Sequence, residues 1–218
     1  MENQRTFSII CGLLTCLVTA SPAELPKSQL MVRIYNVAYT DPKVLAQAEQ
    51  VATDVFNRAG IVMEWKERPA SEPEAHTMDF TAAGVATTAC PKPLSSAGLA
   101  VRIIPIAPPV LSQQALGFAL PCSSQGTAVT VFADRAQWVS HYAAVPLHQV
   151  LGQALAHEIG HVLLRSGEHA AEGIMKASWD KGDYQHMATD YLLFTLEQSE
   201  QMRRELQRIQ RKEVAADQ

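Results

Sequence analysis

From Pro146 the chain reads PLHQVLGQALAHEIGHVLLRSG. Leu147, Val150, Leu151, Ala154, Leu155, Ile159, Val162 and Leu163 recur at helical spacing and give this stretch a broad apolar surface. A helix of that kind must be largely buried. Gly152 and Gly160 lower its propensity, and close packing against another backbone is a reason to keep them. His157 and His161 are four residues apart, so they lie on one face, one turn from each other. Glu158 projects on the adjoining side. A buried helix that carries these polar groups needs compensation for taking them out of water.

A metal ion supplies it. Two imidazoles on consecutive turns can share one tetrahedral zinc, and Glu158 can reach a water bound to that zinc without entering its coordination shell. The alternative is a satisfied pair of core histidines with a surface glutamate. A catalytic zinc takes a third protein ligand and keeps a fourth position for water. His169 is the leading candidate, because Gly167 lets the chain turn after the helix and an imidazole matches the first two ligands. Glu168 and Glu172 compete, since carboxylates also bind zinc.

The rest of the chain alternates strands and helices. Residues 30–37 read as a half-buried strand, with Leu30, Val32 and Ile34 on one face. Asp41-Pro42 caps a helix marked by Val44, Ala48, Val51 and Val55 and stopped by Gly60. Residues 61–65 form a second strand, expected parallel to the first. Residues 67–97 are rich in Pro, Ser, Ala and Glu and read as a long loop. Strands follow at 99–106, 115–120 and 128–133. The middle one, with Gly117 inside and Pro121 after it, reads as an edge. A short helix is expected at 134–142, a loop at 168–183, and one last helix from Tyr184 to Lys212 with a charged end.

At 218 residues the chain suffices for one domain with a core. A net charge of −4 and the lack of a basic patch argue against nucleic acid as partner. Arg5 precedes the uncharged run FSIICGLLTCLV and then small residues. That order fits an export signal over 1–20, cleaved near Ala20, and leaves no stable membrane association. The alternative is an uncleaved membrane anchor, although the run is shorter than a spanning helix needs. Residues 21–29 then form a linker, 30–212 a single catalytic domain and 213–218 a disordered tail. Of four cysteines, Cys11 and Cys16 leave with the signal. Cys90 and Cys122 remain, and an oxidising compartment, secreted or periplasmic, favours a disulfide between them.

H-E-I-G-H, followed by a third histidine and then Gly173-Ile174-Met175, resembles the metzincin metallopeptidases. The chain is similar to bacterial metzincin-like proteins with a delayed histidine, G-I-M and a tryptophan, where Trp179 stands. The resemblance covers about residues 30–210. It implies an α+β fold: a mixed, twisted five-stranded sheet with an edge strand along the substrate cleft, an active-site helix and a C-terminal helix. It implies Zn2+ held by His157, His161 and His169, with Met175 as an apolar floor. It also implies hydrolysis of a peptide or protein substrate with Glu158 as general base. The sequence departs from the usual pattern at two points. The third histidine follows the second by eight residues rather than six, and Leu164 occupies the position of a glycine. Tyr184 and Tyr191 are available as the tyrosine that some metzincins place after the methionine; either is ordinarily a packing residue. The rival functions are an inactive zinc-containing binding protein, blocked by loop 67–97 or by His186 as fourth ligand, and a zinc amidase acting on a cell-wall amide. A thiol such as Cys90 holding the zinc is a route to latency.

Overall fold

The computed structural model of the chain describes residues 28–72, 98–121 and 128–216. The expected signal, all four cysteines with the expected disulfide, and most of loop 67–97 lie outside the described residues.

Strand β1 (Ser28–Asn36) begins inside the stretch read as a linker and alternates as expected, with Leu30, Val32 and Ile34 facing the core. Helix α1 (Pro42–Arg58) starts where the Asp41 carboxylate accepts from the backbone N–H groups of Lys43 and Val44, at 2.9 and 3.2 Å. Gly60, at φ 76, ends it. Strand β2 (Ile61–Arg68) is longer than its apolar pattern. Its register with β1 runs from Ser28↔Ile61 to Tyr35↔Arg68, so the polar residues after Trp65 remain paired and the loop starts later than expected. Strand β3 (Leu99–Ile104) stops before Pro105, which has no N–H to give the ladder. Strands β4 (Gly117–Ala119) and β5 (Val129–Phe132) complete a sheet of order β2-β1-β3-β5-β4. All neighbours are parallel except β4, which is antiparallel to β5 and ends the sheet.

Helix α2 (Ala133–Ala143) follows β5, and helix α3 (Leu147–Leu164) follows a short turn. Every residue of α3 from Val150 to Leu164 is buried. The helix packs on α1 and passes beneath β5 and β4. Contact with α1 is close at Gly152, where a Cβ would stand 2.6 Å from the Ala48 carbonyl oxygen. Two interior glycines cost a helix about 1 kcal/mol each. Fully burying Leu151, Leu155, Ile159 and Leu163 contributes roughly 1.5–3 kcal/mol apiece, so burial decides the conformation.

The C-terminal region differs from expectation. One helix over residues 184–212 is replaced by α4 (Lys181–Met187) and α5 (Leu196–Ala216), which also extends past the expected start of the tail. The segment between them spends its backbone groups elsewhere. The Leu193 carbonyl accepts from Ile174 N–H at 3.0 Å, and the Gln153 amide, oriented to satisfy both groups, meets the Leu192 N–H and carbonyl at 3.2 and 3.3 Å. Phe194 is buried in the core from this extended segment rather than from a helical stripe. Helix α5 then begins with a reciprocal cap: Gln198 N–H donates to Thr195 Oγ1 at 3.2 Å, and Thr195 N–H donates to Gln198 Oε1 at 2.9 Å. Among the described residues no helix is long and apolar enough to cross a membrane.

Candidate metal centre

The consecutive turns of α3 set His157 and His161 with Nε2 atoms 3.1 Å apart and rings edge to face. Both side chains are buried. Their rings are held from behind by two backbone carbonyls, each delivered by a chain reversal.

The first reversal is the end of α3. Arg165 adopts the left-handed conformation, φ 54. Its N–H donates to the Val162 carbonyl, and Ser166 N–H donates to the His161 carbonyl, both at 3.2 Å. These two bonds make a Schellman motif with arginine in the place glycine usually takes. The turn folds the Ser166 carbonyl onto His161 Nδ1, 2.8 Å away. Helix α5 secures it: Gln201 Nε2 donates to the Leu164 carbonyl at 3.0 Å, and Glu205 pairs with the Arg165 guanidinium at 2.8 Å. The expectation that Gly167 does the turning is corrected; Gly167 has open space around it and no left-handed backbone. The chain then brings His169 against His161, with ring centroids 4.8 Å apart, and over His157 at 5.5 Å.

The second reversal runs through Gly173, Ile174 and Met175. The Met175 carbonyl accepts from Ala170 N–H at 2.8 Å, which ties this turn to the segment carrying His169. The Ile174 carbonyl faces His157 Nδ1 at 2.7 Å. Met175 is buried, with its sulfur beside Gly160: a Cβ there would stand 2.9 Å from Sδ and 2.7 Å from Phe194 Cε1. The methionine thus packs against the helix turn that carries His161.

These contacts fix the chemistry of the two rings. A carbonyl only accepts, so Nδ1 of both His157 and His161 carries the proton. Each neutral ring then presents a bare Nε2 lone pair, and the two lone pairs face each other. A proton does not relieve this: burial, with the neighbouring imidazoles, holds His157 down to about 3, and burial holds His161 down to about 4. A divalent cation does relieve it. The ligand atoms of His157, His161 and His169 lie within 4.8 Å of one another, a donor set of three neutral imidazoles that fits zinc. Backbone carbonyls on the outer nitrogens are the usual second layer of such sites. Among the described residues no other group of this kind occurs, and Glu168, Glu172 and His186 are not part of it.

Glu158 is buried next to these rings, and burial pushes its carboxyl up to about 8. A cation on the neighbouring histidines opposes that shift by favouring the carboxylate. The side chain lies against Gly117 of β4, so the acid sits under the last strand of the sheet that the described residues form. A small cleft, about 40 Å³, opens here. Its floor is Ala154, His157 and Glu158. One wall is Gln114 and Leu116, and the other is formed by residues 176–179 with Tyr184. The first wall is fixed by Arg135 of α2, whose guanidinium donates to the carbonyls of Ser112, Ala115 and Leu111. The second is fixed by Lys176, whose ammonium bridges Asp180, at 2.7 Å, and Asp183.

Several of these roles escape sequence reading. Arg135 and Lys176 carry no motif, though Asp180 and Asp183, which form the reciprocal cap of α4, have a spacing that reads as a helix start. Of the two tyrosines, Tyr184 lines the cleft, while the Tyr191 hydroxyl donates to Asp54 of α1 at 2.9 Å and serves packing.

No protein family and no curated protein matches this chain. Several solved structures are similar to it. One is the archaemetzincin of Methanopyrus kandleri, 15% identical, with a TM-score of 0.48, covering 84% of this chain and 98% of that one. Another is a zinc-dependent peptidase from Methanocorpusculum labreanum, 12% identical, with a TM-score of 0.49, covering 78% of this chain and 99% of that one.

Proposed function

We propose that the chain is a zinc-dependent peptidase in which His157, His161 and His169 hold the metal and Glu158 is the general base. The observation that carries this reading is the pair of bare Nε2 atoms 3.1 Å apart, with a buried carboxyl beside them on the floor of the same cleft. A bound zinc supplies Lewis-acid polarisation of a scissile carbonyl and acidifies water. The chain does the rest. Glu158, once a carboxylate, takes a proton from the attacking water and passes it to the leaving amine. The outer edge of β4 accepts an extended peptide by backbone pairing and guides it past Glu158. Trp179 and Tyr184 narrow the cleft and limit access of bulk water. Met175 supports the His161 turn as an apolar floor. In this reading the protein works outside the cytosol after loss of residues 1–20.

A Glu158→Gln substitution tests it. The variant is expected to bind zinc stoichiometrically, keep its fold by circular dichroism, and lose hydrolysis of a casein or peptide-library substrate by at least about a hundredfold. Full turnover in this variant, or no zinc in the native protein, sinks the proposal. Hydrolysis confined to a cell-wall preparation turns the assignment toward an amidase. Zinc binding with no hydrolysis of any of the three materials turns it toward a binding protein.

A further inference from the structure

Trp179 lines the cleft, and its contacts reach beyond that role. Its indole N–H donates to the Ile174 carbonyl at 3.1 Å, the oxygen that also receives the Nδ1 proton of His157 at 2.7 Å. A carbonyl oxygen has two lone pairs, and here both are taken. The indole plane also stands edge to face against the His157 ring, with centroids 5.8 Å apart. Trp179 therefore touches His157 twice, through space and through a shared acceptor. The acceptor behind His161, the Ser166 carbonyl, belongs instead to the helix cap.

We propose that Trp179 is a positioning residue for the metal ligand His157, fixing the imidazole's orientation and its Nδ1–H tautomer through the shared Ile174 carbonyl. This rests on the metal-site reading above. A ligand ring held in one tautomer and one plane loses little freedom when its Nε2 binds a cation, and partners of this kind typically contribute about 10–100-fold to metal affinity. The indole also blocks a water from taking the second lone pair of Ile174. Such a water would open a path for the imidazole to exchange its Nδ1 proton with solvent.

The test uses the full chain with zinc as the probe. Trp179→Phe keeps an aromatic ring and removes the donor, while Trp179→Leu removes both. Zinc affinity is measured by competition with a chromophoric chelator, and the Nδ1 proton of His157 is followed by nitrogen-15-edited NMR of the zinc-loaded protein. Trp179→Phe is expected to bind zinc about tenfold more weakly, with faster solvent exchange of the His157 Nδ1 proton and no change at the His161 Nδ1 proton. Trp179→Leu is expected to bind more weakly still. A residue needed only for packing would lower the melting temperature and leave the exchange of the two protons in its original ratio. Affinity within twofold of the parent, with unchanged exchange at His157, overturns the proposal while the metal site stands. Failure of the parent chain to bind zinc overturns both together.

Discussion

A Cβ added at Gly117 would stand 2.9 Å from Glu158 Cγ and 2.5 Å from the Thr130 carbonyl oxygen. The edge strand and the proposed base share one volume, and only a hydrogen at position 117 leaves room for both. The Thr130 oxygen is backbone in the adjoining strand and cannot give way without breaking the ladder, so a side chain at 117 pushes β4 itself away from β5 as well as displacing the glutamate. Gly117→Ala is therefore expected to keep zinc and lower peptide hydrolysis at least about tenfold through displacement of β4 and Glu158 together. Crystallography of the variant checks the displacement. Parent-like activity would mean that Glu158 and β4 are not held in register by this contact.

The zinc stoichiometry of three variants separates the possible third ligands. The structure brings His169 to the other two histidines and leaves Glu168 and Glu172 outside the group. Removing a direct ligand costs more than removing a second-layer partner, so His169→Ala is expected to weaken zinc binding by more than about a hundredfold. Glu168→Gln and Glu172→Gln are expected to bind like the parent. A carboxylate variant that loses its metal would reassign the ligand.

Arg165 makes the left-handed turn that aims the Ser166 carbonyl at His161, and it does so without being glycine. The left-handed conformation costs an L-residue roughly 1–2 kcal/mol. Its ion pair with Glu205 is only 19% and 13% exposed at the two side chains, a setting in which such a contact offsets part of that cost. Two substitutions divide the terms. Arg165→Ala keeps the backbone cost and loses the pair, and is expected to destabilise by about 1–2 kcal/mol. Arg165→Gly loses the pair and relieves the backbone, and is expected to fall within about 1 kcal/mol of the parent. Urea titrations read both. Equal losses in the two would show that backbone conformation contributes nothing.

This turn also shows where sequence reading ends. The pair His157 and His161, with Glu158 between them, is legible because helical geometry converts a spacing of four into a shared face. The alternation of Leu30, Val32 and Ile34 marks β1 for a similar reason, since the strand period is local. The cap at Asp41 and the stop at Gly60 are local too. Arg165 is not legible, because what stabilises it is Glu205, forty positions away on another helix. The break between α4 and α5 was half legible. Thr195 and Gln198 have the spacing of a reciprocal cap, but Met187, Tyr191 and Phe194 fall at near-helical intervals and mask it. Only the tertiary bonds of Leu192 and Leu193 show why that segment is extended. The cleft walls depend on Arg135 and Lys176, two cations whose partners are set by the fold rather than by any motif.

Stability against pH offers a test away from the metal. The Glu49 carboxyl on α1 is pushed up to about 7, first by burial and then by the neighbouring Glu67. Its Oε1 is buried and has no hydrogen-bond partner among the described residues. The sign follows from proton counting. Between its ordinary value of 4.5 and about 7 the folded chain holds a proton that the unfolded chain has released. Stability from this group is therefore complete below 4.5 and is lost as pH rises through about 7. Glu49→Gln removes the charge that burial penalises and keeps the shape. Its melting temperature is expected to match the parent near the lower limit of that window and to exceed it above the upper one, while Glu67→Gln recovers a smaller part of the gain. The side chain is only partly buried, so solvent screening holds the effect to a few degrees, on the order of 1 kcal/mol for a chain of this size. The decisive comparison is the difference between the two pH values within each variant, because a gain of equal size at both would come from packing and leave the ionisation of Glu49 without a role.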